Sequence, residues 1–164
     1  MFFATNDDLA TAIAQKRPPD PENHNRFQIL LVDDSASDSH LFQTALQEAS
    51  ARVKLYWVAS GEEALEYVEG QGRFQGMGEV DVVVLDLNMQ GMDGFEVLQR
   101  LRKTDACRYK PIVVLSSSKA ARDIRLAYSL GANSYIVKSM SFERYVESVS
   151  LLVRYWFDTV ELPN

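Results

Sequence analysis

A chain of 164 residues, 46% hydrophobic and 24% charged, suits one ordinary soluble domain with a buried core and room for an appendage. Its formal net charge of −6 disfavours nucleic acid as the main partner, because phosphate binding needs clustered Lys and Arg. No apolar run approaches the roughly 20 residues that span a bilayer, so no membrane span is expected. The lone cysteine, Cys107, excludes an internal disulfide and fits a reducing compartment. The amino terminus, MFFATNDDLATA, has two acids and no basic segment, so it is not a signal peptide. A cytoplasmic location is expected.

There is no internal repeat. Residues 1–17 form an N-terminal extension in which Thr5 to Lys16 reads either as a short amphipathic helix, with Leu9 and Ile13 on one face, or as a frayed tail. Residues 18–26, polar with three prolines, read as a linker. The main domain is expected over 27–155, followed by an aromatic tail at 156–164. It opens with a strand, Gln28–Val32, that ends in Asp33-Asp34. Residues 37–49 place Leu41, Ala45 and Leu46 at helical spacing. Lys54–Val58 reads as a second strand. Ser60 and Glu63 then have capping-box form and open a helix that Gly70 stops. Val80–Leu85 is the third strand, and Phe95, Leu98 and Leu101 mark the next helix. On that helix Arg100, Arg102 and Lys103 read as a solvated face. Pro111 introduces a fourth strand, Ile112–Leu115, and a helix with Ile124, Ala127 and Leu130 stops at Gly131. Ser134–Val137 is the fifth strand. Ser141 caps a last helix whose apolar side runs from Phe142 to Trp156.

Five strands alternating with five helices predict an α/β fold, a doubly wound five-stranded parallel sheet with helices on both faces. Ligands of such sheets sit outside the carboxyl ends of the strands. There the chain places Asp33 and Asp34, Asp86, Ser116 and Lys138. Each has a plain explanation alone, as cap, turn or solvated charge. Together they put three carboxylates, a hydroxyl and an ammonium at one end of one sheet. Three clustered carboxylates stay ionised only around a cation. With no His or Cys nearby, a hard ion such as Mg²⁺ fits better than zinc. Mg²⁺, Lys and a hydroxyl together suit the oxygens of a transferring phosphoryl group, with one carboxylate as nucleophile.

These residues, with DLNMQGMDG around Asp86, PIVVLS ending in Ser116 and SYIVK ending in Lys138, resemble the receiver domain of bacterial response regulators. Asp86 to Ser116 is 116 − 86 = 30 positions, and Ser116 to Lys138 is 138 − 116 = 22. The resemblance implies a flavodoxin-like strand order 2-1-3-4-5 and makes Asp86 the phosphoacceptor. It also implies that Asp34 binds Mg²⁺ directly, Asp33 largely through water and Asn88 through its main-chain carbonyl. Ser116 would hydrogen-bond the phosphoryl group, Lys138 would pair with it, and Tyr135 would be the switch aromatic. Two departures stand out: Gln90 and Ser139 occupy positions where the family commonly has Pro. The nearest likeness is to single-domain regulators of phytochrome-type sensor histidine kinases, which share a serine after the lysine and an aromatic tail. That implies a sensor kinase as partner and a downstream target or phosphotransfer protein.

Nothing follows Asn164 in the sequence, so no output domain is expected. The tail around Tyr155, Trp156 and Phe157 either folds back on its own core or forms a homodimer contact together with the last helix. The expected function is phosphorylation-controlled signalling rather than turnover of a substrate, with the protein assisting its own phosphorylation and dephosphorylation. Two rivals remain. A receiver-fold module that is never phosphorylated would bind its partner constitutively. A phosphohydrolase of the haloacid dehalogenase type needs a second Asp two positions after the nucleophile, where this chain has Asn88.

Overall fold

The computed structural model describes residues 27–49 and 52–163. The expected N-terminal helix and the proline-containing linker lie outside the described residues. The chain runs β1 (Phe27–Val32), α1 (Ala36–Ala49), β2 (Val53–Val58), α2 (Gly61–Val68), a 3₁₀ turn (Gly72–Phe74), β3 (Val82–Leu85), α3 (Gly94–Lys103), β4 (Ile112–Ser116), α4 (Ala121–Ser129), β5 (Ser134–Val137) and α5 (Phe142–Val153). The last helix continues as a π-helical segment, Arg154–Thr159.

All strand pairs are parallel and the order is β2-β1-β3-β4-β5, as the resemblance implied. The unbroken apolar strands are explained by covering on both faces. Val83 and Leu85 pack with Leu30, Val32, Ile112 and Val114 under α2, α3 and α4. Val82 and Val84 pack with Ile29, Leu31, Val113 and Leu115 under α1 and α5, against Phe42, Tyr145, Val149 and Leu152. Alternate residues of one strand therefore serve two cores.

Local signals set the boundaries. Ser60 accepts the Glu63 amide at 3.2 Å, while the Glu63 carboxylate reaches one residue further back than a capping box expects, to the Ala59 amide at 3.0 Å. Gly131, at φ +101°, ends α4 in a conformation that side chains resist. The third strand begins two residues later than expected. Val80 is buried but precedes the ladder, and Asp81 instead grips the start of β1, its carboxylate accepting the Gln28 amide at 2.8 Å.

Part of the aromatic tail folds back on the core. Phe157 turns inward and stacks on Phe27 with ring centroids 4.3 Å apart, and Leu162 packs on the same core. Leu151 and Tyr155 face outward, each more than half exposed.

Candidate metal and phosphoryl site

Sheet register delivers the site. Val32 pairs with Leu85, so Asp33 and Asp86 leave adjacent strands at one level. The ladder continues past the strand ends: the Asp86 amide donates to the Val32 carbonyl at 2.9 Å, and the Asp33 amide to Val58 at 3.1 Å. On the other side the Lys138 amide donates to the Ser116 carbonyl at 2.9 Å. These backbone bonds fix where each functional Cα emerges. Gly94 lets the loop after β3 close behind Asp86, since a Cβ there would lie 2.5 Å from the Leu87 Cα and 2.8 Å from the Asp86 carbonyl oxygen. Asp33, Asp86 and Ser116 are all buried.

The centre of the site is the Lys138 ammonium. It donates to Asp33 Oδ2 at 2.9 Å, to Asp86 Oδ2 at 2.9 Å and to Asp38 Oδ2 at 2.6 Å. Burial works against this charge, but the bonds to Asp38, Asp86 and Asp33 outweigh it and hold the ammonium above its ordinary pKa. Burial also raises the Asp33 pKa, and the bond from Lys138 only partly opposes it. Asp38 lies nearer the surface, and its bond from Lys138 lowers its pKa.

The expected residues take distinct places. Asp33, Asp86 and Lys138 meet directly. Asn88 donates its amide N–H to Asp86 Oδ1 at 2.9 Å, and its side-chain amide to Ser116 Oγ at 3.1 Å. Its backbone therefore orients the central carboxylate and its side chain ties the loop to β4. Tyr135 is half-buried against the core under α2, α3 and α4, and its hydroxyl donates to the Ser118 carbonyl at 3.0 Å, two residues past Ser116. Asp34 stands apart, its Oδ2 accepting the Gln90 amide at 2.8 Å. A proline at position 90 could not make that bond. Ser139 leaves the chain trans, and Lys138 reaches the cluster without proline after it.

Asp38 was not anticipated. Ser35-Ala36-Ser37-Asp38 reads as a helix start, and Ser35 Oγ does accept the Asp38 amide at 3.2 Å. The reciprocal half of that box is missing, because the Ser35 amide donates to Asp33 at 2.9 Å. That leaves the Asp38 carboxylate to Lys138.

Asp33, Asp38 and Asp86 each place a carboxylate oxygen within 4.8 Å of the others. One ammonium among three buried or half-buried carboxylates leaves negative charge uncompensated, and an oxygen-only donor set suits a hard divalent cation. Within this cluster the two strand-end acids, Asp33 and Asp86, fit such an ion.

A parallel sheet of this order, carrying acids on β1 and β3, a hydroxyl on β4 and a lysine on β5 at its carboxyl ends, defines a phosphoacceptor domain of two-component signalling. The chain belongs to the response regulator receiver domain family, whose model matches residues 29–150. It is similar to the response regulator Rcp1 of Synechocystis, 32% identical over 82% of this chain and 92% of Rcp1. It is also similar to a probable methanogenesis regulatory protein, FilR2, of Methanothrix harundinacea, at 35% over 82% and 86% of the two chains. Among solved structures, the phosphorylated cyanobacterial phytochrome response regulator RcpA superposes with a TM-score of 0.80 at 32% identity, covering 85% of this chain and 99% of that one. The Mn²⁺-bound form of Rcp1 matches at 0.77 and 31% identity, over 84% and 99%. Receiver domains bind a divalent metal through their acidic residues and take their signal from sensor histidine kinases. No helix among the described residues is long and apolar enough to cross a membrane.

Proposed function

We propose that Asp86 accepts a phosphoryl group from a sensor histidine kinase and that the resulting charge change switches a partner-binding face. The observation that carries this reading is the Asp86 carboxylate, buried at a strand end, with Lys138 on one oxygen and the Asn88 amide on the other. Asp33, Asp34, Asp86 and the Asn88 main-chain carbonyl would hold Mg²⁺, which would supply neutralisation of phosphoryl charge. A carboxylate oxygen of Asp86 attacks the phosphorus of a phosphohistidine. The P–N bond breaks, imidazole leaves with that electron pair, and an acyl phosphate forms. Lys138 and Ser116 donate to the new phosphoryl oxygens; Ser116 Oγ only accepts from Asn88, so its own hydrogen is free to do so. Hydrolysis of the acyl phosphate ends the signal, and both steps are assisted by this chain's own residues.

Ser116 ends β4 and accepts the amide of Ser118 in the following loop at 3.2 Å, and Tyr135 holds the Ser118 carbonyl. Movement of Ser116 toward a phosphoryl group thus biases Tyr135 and the face made by α4, β5 and α5. On that face Ile136, Leu151, Leu152, Tyr155 and Trp156 line an apolar groove. Its exposed Leu151 and Tyr155 support a homodimer through α5 and the tail. The similarity to regulators whose names link them to phytochromes supports a phytochrome-type kinase as donor, with a downstream target or phosphotransfer protein as recipient.

Incubation with Mg²⁺ and acetyl phosphate should add the mass of one phosphoryl group to the wild-type protein and none to Asp86→Asn. No gain in wild type, or equal gain in both, would overturn the assignment. A constitutive binding module would give no gain, and a partner affinity indifferent to beryllofluoride. A dehalogenase-type hydrolase would turn over phosphate esters without accumulating acyl phosphate.

A further inference from the structure

A lysine ammonium has three N–H donors, and Lys138 spends each on a different carboxylate. Two of the three, Asp33 and Asp86, are the strand-end acids assigned above to a divalent cation. The third comes from elsewhere. Asp38 lies in the first turn of α1, its side chain is 40% exposed, and at 2.6 Å it makes the shortest of the three bonds.

The geometry creates a conflict between Lys138 and the metal. A cation that takes Asp33 and Asp86 removes two of the lysine's partners and sets a like charge beside it. Lys138 is only 12% exposed, and a buried ammonium without a carboxylate is costly. Resting on the receiver chemistry proposed above, we infer that Asp38 is the private counter-ion of Lys138. As a positioning residue it keeps the ammonium in the site when metal claims the strand-end acids, so that lysine and metal need not compete.

A double-mutant cycle on metal affinity tests this, with Mg²⁺ titrated calorimetrically into wild type, Asp38→Asn, Lys138→Met and the double variant. With Lys138 present, Asp38→Asn should weaken Mg²⁺ binding about tenfold, because the lysine then falls back on Asp33 and Asp86. In the Lys138→Met background the same change should cost at most about threefold, the share due to losing a nearby negative charge. Equal losses in the two backgrounds would make Asp38 a metal ligand or a plain surface charge, and overturn the inference. No loss beside Lys138 would overturn it too. A spectroscopic arm excludes a merely structural effect. In Mg²⁺-saturated protein the ¹⁵N ammonium resonance of Lys138 should be sharp in wild type and broadened by water exchange in Asp38→Asn; an unchanged resonance counts against the inference. A wild-type protein that binds no Mg²⁺ at all removes the receiver reading itself, an outcome visible before any variant is compared.

Discussion

Two partly buried cations sit at opposite ends of the sheet, and their partners could hardly differ more. Lys138, at the carboxyl end, faces three carboxylates. Arg102, in the last turn of α3, points toward the amino-terminal end. There its guanidinium donates to the carbonyls of Gly131 at 2.8 Å, Cys107 at 2.8 Å and Lys110 at 2.6 Å, and to the side-chain oxygen of Asn133. Burial pulls the Arg102 pKa down, yet a guanidinium stays charged at any physiological pH. Its acceptors are neutral dipoles that no ligand can claim, so it staples the loops before β4 and β5 permanently. The partners of Lys138 are charges that a metal or a phosphoryl group can take. One cation holds the scaffold together; the other is available to respond.

The largest effect should therefore come from Arg102. Arg102→Ala leaves several buried carbonyls without a donor and should cost about 3 kcal/mol in urea unfolding. Mg²⁺ should not recover any of that loss. Lys138→Met should behave in the opposite way. Without metal, three carboxylates face one another and stability should fall by about 2 kcal/mol. Saturating Mg²⁺ should return most of it, because the cation replaces the missing charge. If Mg²⁺ rescued Arg102→Ala, or failed to rescue Lys138→Met, the distinction between the two ends would collapse.

The same contrast explains what could be read from the chain beforehand. Strand ends were legible because apolar runs stop abruptly on Asp33, Asp86, Ser116 and Lys138, and a parallel sheet brings like ends together. Element succession followed from the same pattern, whereas the strand order was implied by the resemblance to receiver domains. Asp38 was hidden behind a second valid reading, since an acid three residues after Ser35 looks like a helix start and is one. Its partner is 100 positions away, and helical period alone does not fix which way a first-turn side chain leans. Arg102 was hidden in a basic run. Arg100 is exposed and pairs with Glu96 at 2.7 Å, which is how the whole run was expected to behave. Only the docking of α3 against Gly131 turns its neighbour inward. The place of Asp34 depended on Gln90, whose amide hydrogen matters only once the loop is built. The tail resolved only in three dimensions as well, because Phe157 and Tyr155 are two residues apart on a helix and so face different ways.

A smaller effect separates the charge of the site from its shape. Burial raises the Asp33 pKa above its ordinary value, so the folded state holds that proton more tightly than the unfolded chain does. Stability attributable to Asp33 should then fall as pH rises from about 3.8, the ordinary value, through the raised one. In metal-free buffer Asp33→Asn should match wild type below that window and exceed it by about 1 kcal/mol at pH 7. Chemical denaturation at a series of pH values measures the gap. Saturating Mg²⁺ should reverse its sign, since the cation needs the carboxylate. An advantage independent of pH would mean that the substituted side chain simply packs better than the carboxyl group it replaces.

The smallest effect comes from a contact that joins both kinds of partner. The indole of Trp57, almost half exposed, donates to the main-chain carbonyl of Asp33 at 2.7 Å. Asp33 is thus held by a fixed dipole through its backbone and by changeable charges through its side chain. Trp57→Phe keeps an aromatic ring on β2 and removes only the donor, so the cost should be about 0.5–1 kcal/mol. Mg²⁺ affinity should hardly move, because the Asp33 amide still binds the Val58 carbonyl and keeps the strand end in register. A Mg²⁺ affinity that fell as far as in Asp38→Asn would show that the backbone hold and the charge cluster are one coupled device. An unchanged affinity beside a measurable loss of stability would show that scaffold and response are separable even within a single residue.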